Sequence, residues 1–316
     1  VVDGMPVGSA GAGWRAYAAL CLVALGWETW MWLKARRLRH AVGDMAESAR
    51  LVDLRGVSGV HGQGVRAAMA RLPMNRVAFV EIRTLRIPLP RLPRELEGAV
   101  ILHLSDFHLG FEPAPPYFMA AVAEAAARPA DLAVFSGDLI DDESIRPLLG
   151  DIMAGIHARL GRFFVLGNHD LRFSPDRTRK ALSDLGWTDV AGRVVRIEDR
   201  GAGVVIGGSE RPWMGAAPRF APRVEPELRI LLSHSPGLLW RAIREEVDLM
   251  LCGHTHGGQV RLPFFGPVHG RDSDAGTIRR GPTVRHVSRG LGQEVPLRIN
   301  CAPEITRIEL VRGEDA

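Results

Sequence analysis

Five times along this chain a short apolar run stops in a cluster of aspartate, asparagine or histidine, and that repeated ending narrows the folds open to it. Val100–Ser105 ends in Asp106-Phe107-His108, and Leu132–Ser136 ends in Gly137-Asp138-Leu139-Ile140-Asp141. Phe163–Leu166 ends in Gly167-Asn168-His169-Asp170, and Ile230–Ser233 in His234-Ser235-Pro236. Leu249–Cys252 ends in Gly253-His254-Thr255-His256-Gly257-Gly258-Gln259. Runs this short suit buried strands, and the glycines punctuate their ends. In an open α/β sheet, ligands bind beyond the carboxyl ends of the strands, so all five clusters can meet at one rim. Residues two apart in an extended chain project to the same side, which aims His254 and His256 at one small volume. An isolated H-x-H is an ordinary loop feature; five such endings in order make a site.

The intervening segments supply the rest of the pattern. A proline-initiated, alanine-rich helix is predicted from about Pro116 to Ala127, a helical stretch over Ser144–Ala158, a helix from Pro175 to Leu185 and another over Pro236–Glu246. Strand–helix alternation of this kind signals a parallel sheet. Val194–Glu198 and Val204–Gly207, then Val260–Leu262, Thr283–Val287 and Ile305–Val311, predict a second, more antiparallel sheet. With 316 residues, 46% of them hydrophobic, the chain suffices for one large α/β domain and an appendage.

The appendage is N-terminal. Ala16–Leu33 is apolar apart from Tyr17, Glu28 and Thr29, at the lower length limit of a membrane-spanning helix. Lys34, Arg36, Arg37 and Arg39 follow it, which by the positive-inside rule would keep the remainder on the cytoplasmic face of the cell membrane. The formal net charge is +4, yet Lys34–Arg94 carries 13 Lys or Arg against 4 Asp or Glu. A basic arm beside an apolar segment suits an anionic lipid surface; no aromatic interleaving suggests nucleic acid. We expect residues 1–40 to form a hydrophobic anchor with a basic flank, 41–76 a linker, and 77–316 the catalytic domain. The linker holds a possible helix at His40–Val52 and a short basic helix around Val65–Leu72, and Val77–Leu89 reads as an edge strand closed by prolines. Cys21, Cys252 and Cys301 form no C-x-x-C pair, which points to reduced thiols and a reducing compartment.

Asp106, His108, Asp138, Asn168, His234, His254 and His256 offer carboxylate, imidazole and amide donors without a thiolate. Such a set suits manganese, iron, zinc or cobalt. Seven donors exceed one four-coordinate ion but fit two ions sharing a carboxylate, able to acidify a bridging hydroxide and clamp an in-line displacement at phosphorus. A histidine in the site needs its second nitrogen fixed, and Asp141 or Asp170 is placed to do that for His169.

The order D-x-H, G-D-x-x-D, G-N-H-D, H, G-H-T-H resembles the calcineurin-like metallophosphoesterases. The extension G-H-T-H-G-G-Q-V-R-L-P, with Val287-Ser288-Arg289-Gly290-Leu291-Gly292 and Pro303-Glu304, resembles a membrane-associated bacterial subgroup that includes UDP-2,3-diacylglucosamine hydrolases of lipid A synthesis. The resemblance implies a four-layer αββα sandwich, two mixed β-sheets flanked by helices, behind the N-terminal hydrophobic helix. It implies two divalent metal ions, manganese foremost and iron, zinc or cobalt as alternatives. Asp106, His108, Asp138 and His256 would hold one, and Asp138, Asn168, His234 and His254 the other. His169 would stabilise charge or protonate the leaving oxygen, with Asp141 orienting it. The expected activity is hydrolysis of a phosphoester or pyrophosphate, on a phosphorylated lipid substrate at a membrane surface. A soluble-substrate phosphodiesterase and a non-enzymatic membrane scaffold are the competing readings.

Other candidates have plainer roles. His103, inside a strand, reads as a core histidine, as do His157, His269 and His286; His40 and His61 read as surface. Asp142 and Glu143 suit the start of a helix. Arg261 and Arg289 are more suited to structural ion pairs than to phosphate, and Trp213 and Met214 to loop packing.

Overall fold

The computed structural model describes residues 45–262, 266–268 and 275–313, with scattered residues between 17 and 29. The chain divides into two units, Val1–Ala41 and Val42–Ala316. In the first, residues 17, 19, 21–23, 26 and 29 are helical. The remainder of the expected Ala16–Leu33 anchor, with the basic flank and His40, lies outside the described residues, as does His269. Among the described residues no helix is long and apolar enough to cross a membrane.

The second unit is α/β, with two mixed sheets. In chain order the strands are β1 (Glu47–Asp53), β2 (Phe79–Leu89), β3 (Val100–Leu104), β4 (Ala130–Ser136), β5 (Ala158–Val165), β6 (Thr188–Asp189), β7 (Val194–Asp199) and β8 (Ala202–Ser209). They continue as β9 (Glu227–Ser233), β10 (Leu249–Cys252), β11 (Arg261–Leu262), β12 (Gly266–Pro267), β13 (Gly276–Arg280), β14 (Thr283–Val287) and β15 (Glu304–Arg312). The first sheet runs β1-β2-β15-β3-β4-β5-β6 and the second β13-β14-β10-β9-β8-β7, with β11 and β12 a separate short hairpin. The helices are α1 (Gly64–Ala70), α2 (Pro115–Ala126), α3 (Leu149–Met153), α4 (Pro175–Asp184) and α5 (Leu239–Arg244).

Three apolar clusters hold these elements together. Leu85, Ile101 and Val134 of the first sheet meet Ile206, Ile230 and Leu251 of the second in a core between the sheets. On the first sheet's other face, Leu102, Phe135 and Phe164 pack with Tyr117 and Phe118 of α2, Ile152 of α3 and Leu182 of α4. On the second sheet's other face, Leu231 and Met250 pack with Ala242 of α5. Strands with both faces covered are mostly apolar, which is why β3, β4, β9 and β10 read as apolar runs broken only by His103, Asp131, Glu227, Arg229 and terminal serines.

Several expectations need correction. The segment expected to be helical at His40–Val52 forms β1 from Glu47, paired antiparallel to β2 from Glu47↔Leu85 to Asp53↔Phe79. All seven β1 residues except Val52 are exposed, so no buried face marked this strand in the sequence; its backbone ladder to β2 makes it. β2 is consequently internal, between β1 and β15, and not an edge. Pro88 is tolerated because the pairing to β1 stops at Leu85, leaving no neighbour to miss its N–H. The helical stretch expected over Ser144–Ala158 is a 3₁₀ turn at Glu143–Leu148 and the short α3, and Ala158 already belongs to β5. The last strand, expected in the second sheet, inserts into the first between β2 and β3.

Candidate metal centre

The ends of β3, β4, β5, β9 and β10 deliver their clusters to one rim. The backbone turns sharply there. Asp106, His108, Asp138, His254 and His256 all hold left-handed conformations, with φ of 53°, 48°, 57°, 73° and 49°. Non-glycine residues rarely occupy that region, and the cost of each is of order 1–3 kcal/mol unless the surroundings impose it. Five such residues at three strand ends, those of β3, β4 and β10, are the fold aiming side chains inward against local preference.

Glycines make the approach possible. A Cβ on Gly253 would lie 2.2 Å from Asp106 Oδ2 and 2.0 Å from Ser105 Oγ. One on Gly167 would lie 2.1 Å from Asp138 Oδ1, and one on Gly137 2.6 Å from His234 Nδ1. The sequence G-D, G-N-H and G-H-T-H therefore has a steric reading: the glycine is where a neighbouring ligand passes.

The donors fall into overlapping groups. Asp106, His108 and His256 form one, Asp138, His234 and His254 a second, and His108, Asp141 and His169 a third, each with its ligand atoms within 4.8 Å of one another. His108 Nε2 faces His256 Nε2 at 2.9 Å and Asp138 Oδ2 at 3.7 Å. His234 Nε2 lies 3.1 Å from Asp138 Oδ2 and 3.2 Å from Asn168 Oδ1. All seven residues singled out in the sequence thus meet, joined by His169 and Asp141.

Hydrogen bonds fix these side chains from behind. Asp141 takes His108 Nδ1 on one oxygen and His169 Nδ1 on the other, both at 2.6 Å. His234 Nδ1 donates to the Ser136 carbonyl at 2.8 Å. Asp106 accepts from the His254 amide at 2.9 and 3.1 Å, and Asp138 Oδ1 from the His169 amide at 2.9 Å. Asp170, the other candidate partner for His169, serves the backbone instead: it accepts from the amides of Leu139, Ile140 and Gly167. That Asp141 serves two histidines was not visible in the sequence.

This arrangement fits a cation. With Nδ1–H donated to Asp141, His108 aims its Nε2 at the site; His234, donating to Ser136, does the same. Both Nε2 atoms confront carboxylate or amide oxygens, which is favourable only with positive charge between them: a proton on His234 in the metal-free protein, or a cation that displaces it. Burial tends to raise the Asp138 carboxyl, but His234 and His108 hold it well below the usual range. Asp141 is likewise held low against its burial by its two histidines. Burial lowers the His254 imidazole to about 4 and takes His256 well below its ordinary value, so both are neutral, as ligands must be. His234 goes the other way, raised to about 9 because Asp138 outweighs its burial. His169 is raised as well, its burial outweighed by Asp141, Asp138 and Glu294.

Two neighbours, Glu294 and Arg298, escaped the sequence reading, and a third, Trp213, was assigned there to loop packing. Trp213 lies against His254 and His234, with ring centroids 4.7 and 5.4 Å away. Glu294 reaches within 3.4 Å of His169 Nε2. Arg298, fully buried, donates to the carbonyls of His256, Arg289 and Gly292 and sets Nη2 3.0 Å from His256 Nδ1. Each arrives from a loop far along the chain, without a motif. Arg289 is an ion-pair residue, bound to Glu304 and Glu81. His103 and His286 are buried between the sheets and belong to none of the three donor groups.

Residues 99–258 match the family described as calcineurin-like phosphoesterase. The chain is 30% identical over 221 residues to phosphodiesterase YaeI of Escherichia coli, covering 67% of this chain and 82% of that one. It is also 30% identical over 236 residues to metallophosphoesterase YkuE of Bacillus subtilis, covering 68% and 80%. A protein of Danio rerio described as a transmembrane protein with metallophosphoesterase domain is 28% identical, over 71% of this chain and 56% of that one.

Proposed function

Since this chain belongs to the calcineurin-like phosphoesterase family and is a hydrolase of phosphoester bonds, we propose that its rim holds two divalent cations that share Asp138. Asp106, His108, Asp138 and His256 hold one; Asp138, Asn168, His234 and His254 hold the other. Two cations so placed supply Lewis acidity at phosphorus and a strongly acidified water. Manganese is our leading expectation, with iron, zinc or cobalt compatible with the donors.

The protein's own groups do the remainder. Asp141 fixes the His169 ring with Nδ1–H towards it, which leaves Nε2 as the atom facing substrate. Held above its ordinary pKa, His169 carries a proton for the departing oxygen, the role of a general acid. Asp138 and Asp106, both buried, lie in surroundings of low dielectric where they bind cations strongly. The observation that carries this reading is the pair of imidazole nitrogens, His108 Nε2 and His234 Nε2, converging on the same Asp138 oxygen.

The test is metal content with turnover of a soluble phosphodiester. We expect a stoichiometry near two in the wild type, and loss of metal and turnover together in Asp138→Ala and His254→Ala. Unchanged metal content and rate in both variants would sink the assignment.

For substrate we favour a lipid-linked phosphoester or pyrophosphate such as UDP-2,3-diacylglucosamine, met at the cytoplasmic face of the membrane. The apolar Ala16–Leu33 stretch, the basic residues after it and the zebrafish relative's description support this. The second reading is a soluble phosphodiester; the Escherichia coli relative is named a phosphodiesterase. Turnover of both substrates side by side decides between them, and a clear preference for the soluble diester would reject the lipid.

A further inference from the structure

Away from the rim, β1, α1 and the turn into β2 enclose a cavity of about 480 Å³, in the size range of small-ligand sites. Its polar lining is Arg71, Arg76 and His61, with Arg55 and the neutral Asn75, and no acidic side chain. Arg55 is paired with Asp53. Arg71 and Arg76, by contrast, have no ion-pair partner among the described residues. The His61 Nδ1 is buried without a hydrogen-bond partner. Burial, then the charges of Arg71 and Arg55, hold that imidazole below its ordinary value; these groups therefore crowd one small space.

The other wall is apolar and open to solvent. Leu51, Leu72 and Met74 line the cavity and are among the exposed large hydrophobic residues, Met74 with 69% of its surface free. Met74 is also held at a φ of 65°, a conformation a methionine adopts only when its surroundings impose it. Unpaired cations beside exposed hydrocarbon do not suit a nucleic acid, which would leave Leu72 and Met74 in water. They suit a molecule with a phosphate at one end and an apolar body at the other. The basic arm runs through these residues, downstream of the apolar Ala16–Leu33 stretch.

We propose that this cavity seats the phosphate head group of an anionic phospholipid, gripped by Arg71 and Arg76, with its hydrocarbon passing over Leu72 and Met74. This builds on the membrane reading above, and adds to it a site of defined chemistry in the folded domain. The consequence is that the domain sits on the bilayer in one orientation, through residues separate from the hydrolytic centre.

Hydrogen exchange of the full chain tests it, because the readout is local and is not swamped by the N-terminal segment. Amides of residues 64–76 should exchange more slowly on vesicles of phosphatidylcholine with phosphatidylglycerol than on phosphatidylcholine alone. The double variant Arg71→Gln, Arg76→Gln should need roughly 25-fold more phosphatidylglycerol for half-protection, about fivefold for each arginine near an anionic surface. Both side chains lie outside the hydrolytic centre, so turnover of a soluble diester should be unaltered in that variant. Equal protection on the two vesicle types, or an unshifted response in the variant, would overturn the proposal. So would equal protection by glycerol 3-phosphate at the same phosphate concentration, which would make the cavity a site for soluble anions. Binding to phosphatidylcholine vesicles without protection at 64–76 removes the cavity from the account and leaves the membrane reading standing.

Discussion

At the scale of single residues, the centre is built by putting side chains where the backbone resists them. Asp106, His108, Asp138, His254 and His256 share a left-handed φ, and the glycines beside them make room for one another's ligands. Gly253→Ala is accordingly the sharpest steric probe. It removes no ligand, yet its methyl group would have to occupy space 2.2 Å from Asp106 Oδ2, so carboxylate or backbone must shift. A misplacement of about an ångström costs on the order of 100-fold in rate. We expect kcat/KM to fall by about that factor with weaker metal retention after dialysis, whereas an alanine at an unconstrained glycine such as Gly56 should leave both intact. His169→Ala separates chemistry from binding. Because Asp141 still holds His108, both metal equivalents should remain while the rate drops by roughly 10²–10⁴, the usual contribution of a general acid. An unaffected rate would take His169 out of the mechanism.

At the scale of elements, what could be read from the sequence was local and what could not was long-range. The apolar runs entering Asp106, Asp138, Asn168, His234 and His254 are strands because their periodicity and glycine stops are written within a few residues. Nothing local in Glu47–Asp53 shows that it pairs with β2, and nothing in Glu304–Arg312 shows that it enters the first sheet instead of the second. Strand partners are chosen by the assembled core. The same limit hid Arg298, whose role depends on three carbonyls brought together by folding. It ties the segment between β14 and β15 to the loop carrying His256, with no ion-pair partner among the described residues. Lysine keeps the charge but cannot reach several acceptors at fixed angles as the guanidinium does. We therefore expect Arg298→Lys to weaken binding of the cation assigned to His256 by roughly 10–100-fold, the scale of losing a group that orients a ligand. The other cation should be held as before. Stepwise metal titration reads this directly, and two unaltered binding steps would make Arg298 a packing residue only.

At the scale of the whole molecule, the two sheets meet over a mostly apolar core in which two histidines are embedded. His103 on β3 and His286 on β14 face each other across the interface, ring centroids 5.6 Å apart and edge to face. His103 Nε2 bonds Ser136 Oγ at 2.9 Å, and His286 Nδ1 bonds Thr277 Oγ1 at 3.0 Å. Burial lowers His103 to about 3 and His286 to about 4. In the unfolded chain a histidine titrates near 6.5, so between these values and 6.5 the unfolded state binds more protons than the folded one. Stability therefore rises with pH across that window: the contribution is complete above about 6.5 and is lost as pH falls towards 4. At pH 5 each histidine has withdrawn about 2 kcal/mol from the joint between the sheets. His286→Gln, with no titrating ring, should be less stable than wild type at pH 7. Yet its loss between pH 7 and pH 5, read from urea unfolding, should be smaller than the wild type's by about that amount. Glu304, held well below the usual range by Arg289 and Arg83 against its burial, stays ionised in the folded state from pH 7 to pH 5, and the other carboxylates, Asp170 at about 6 among them, are common to both proteins and cancel in the difference. Equal losses in the two proteins would mean that His286 is protonated in the folded state, with Glu304 at 3.8 Å as its counter-ion, and that the sheets are joined there by charge instead of by a neutral ring.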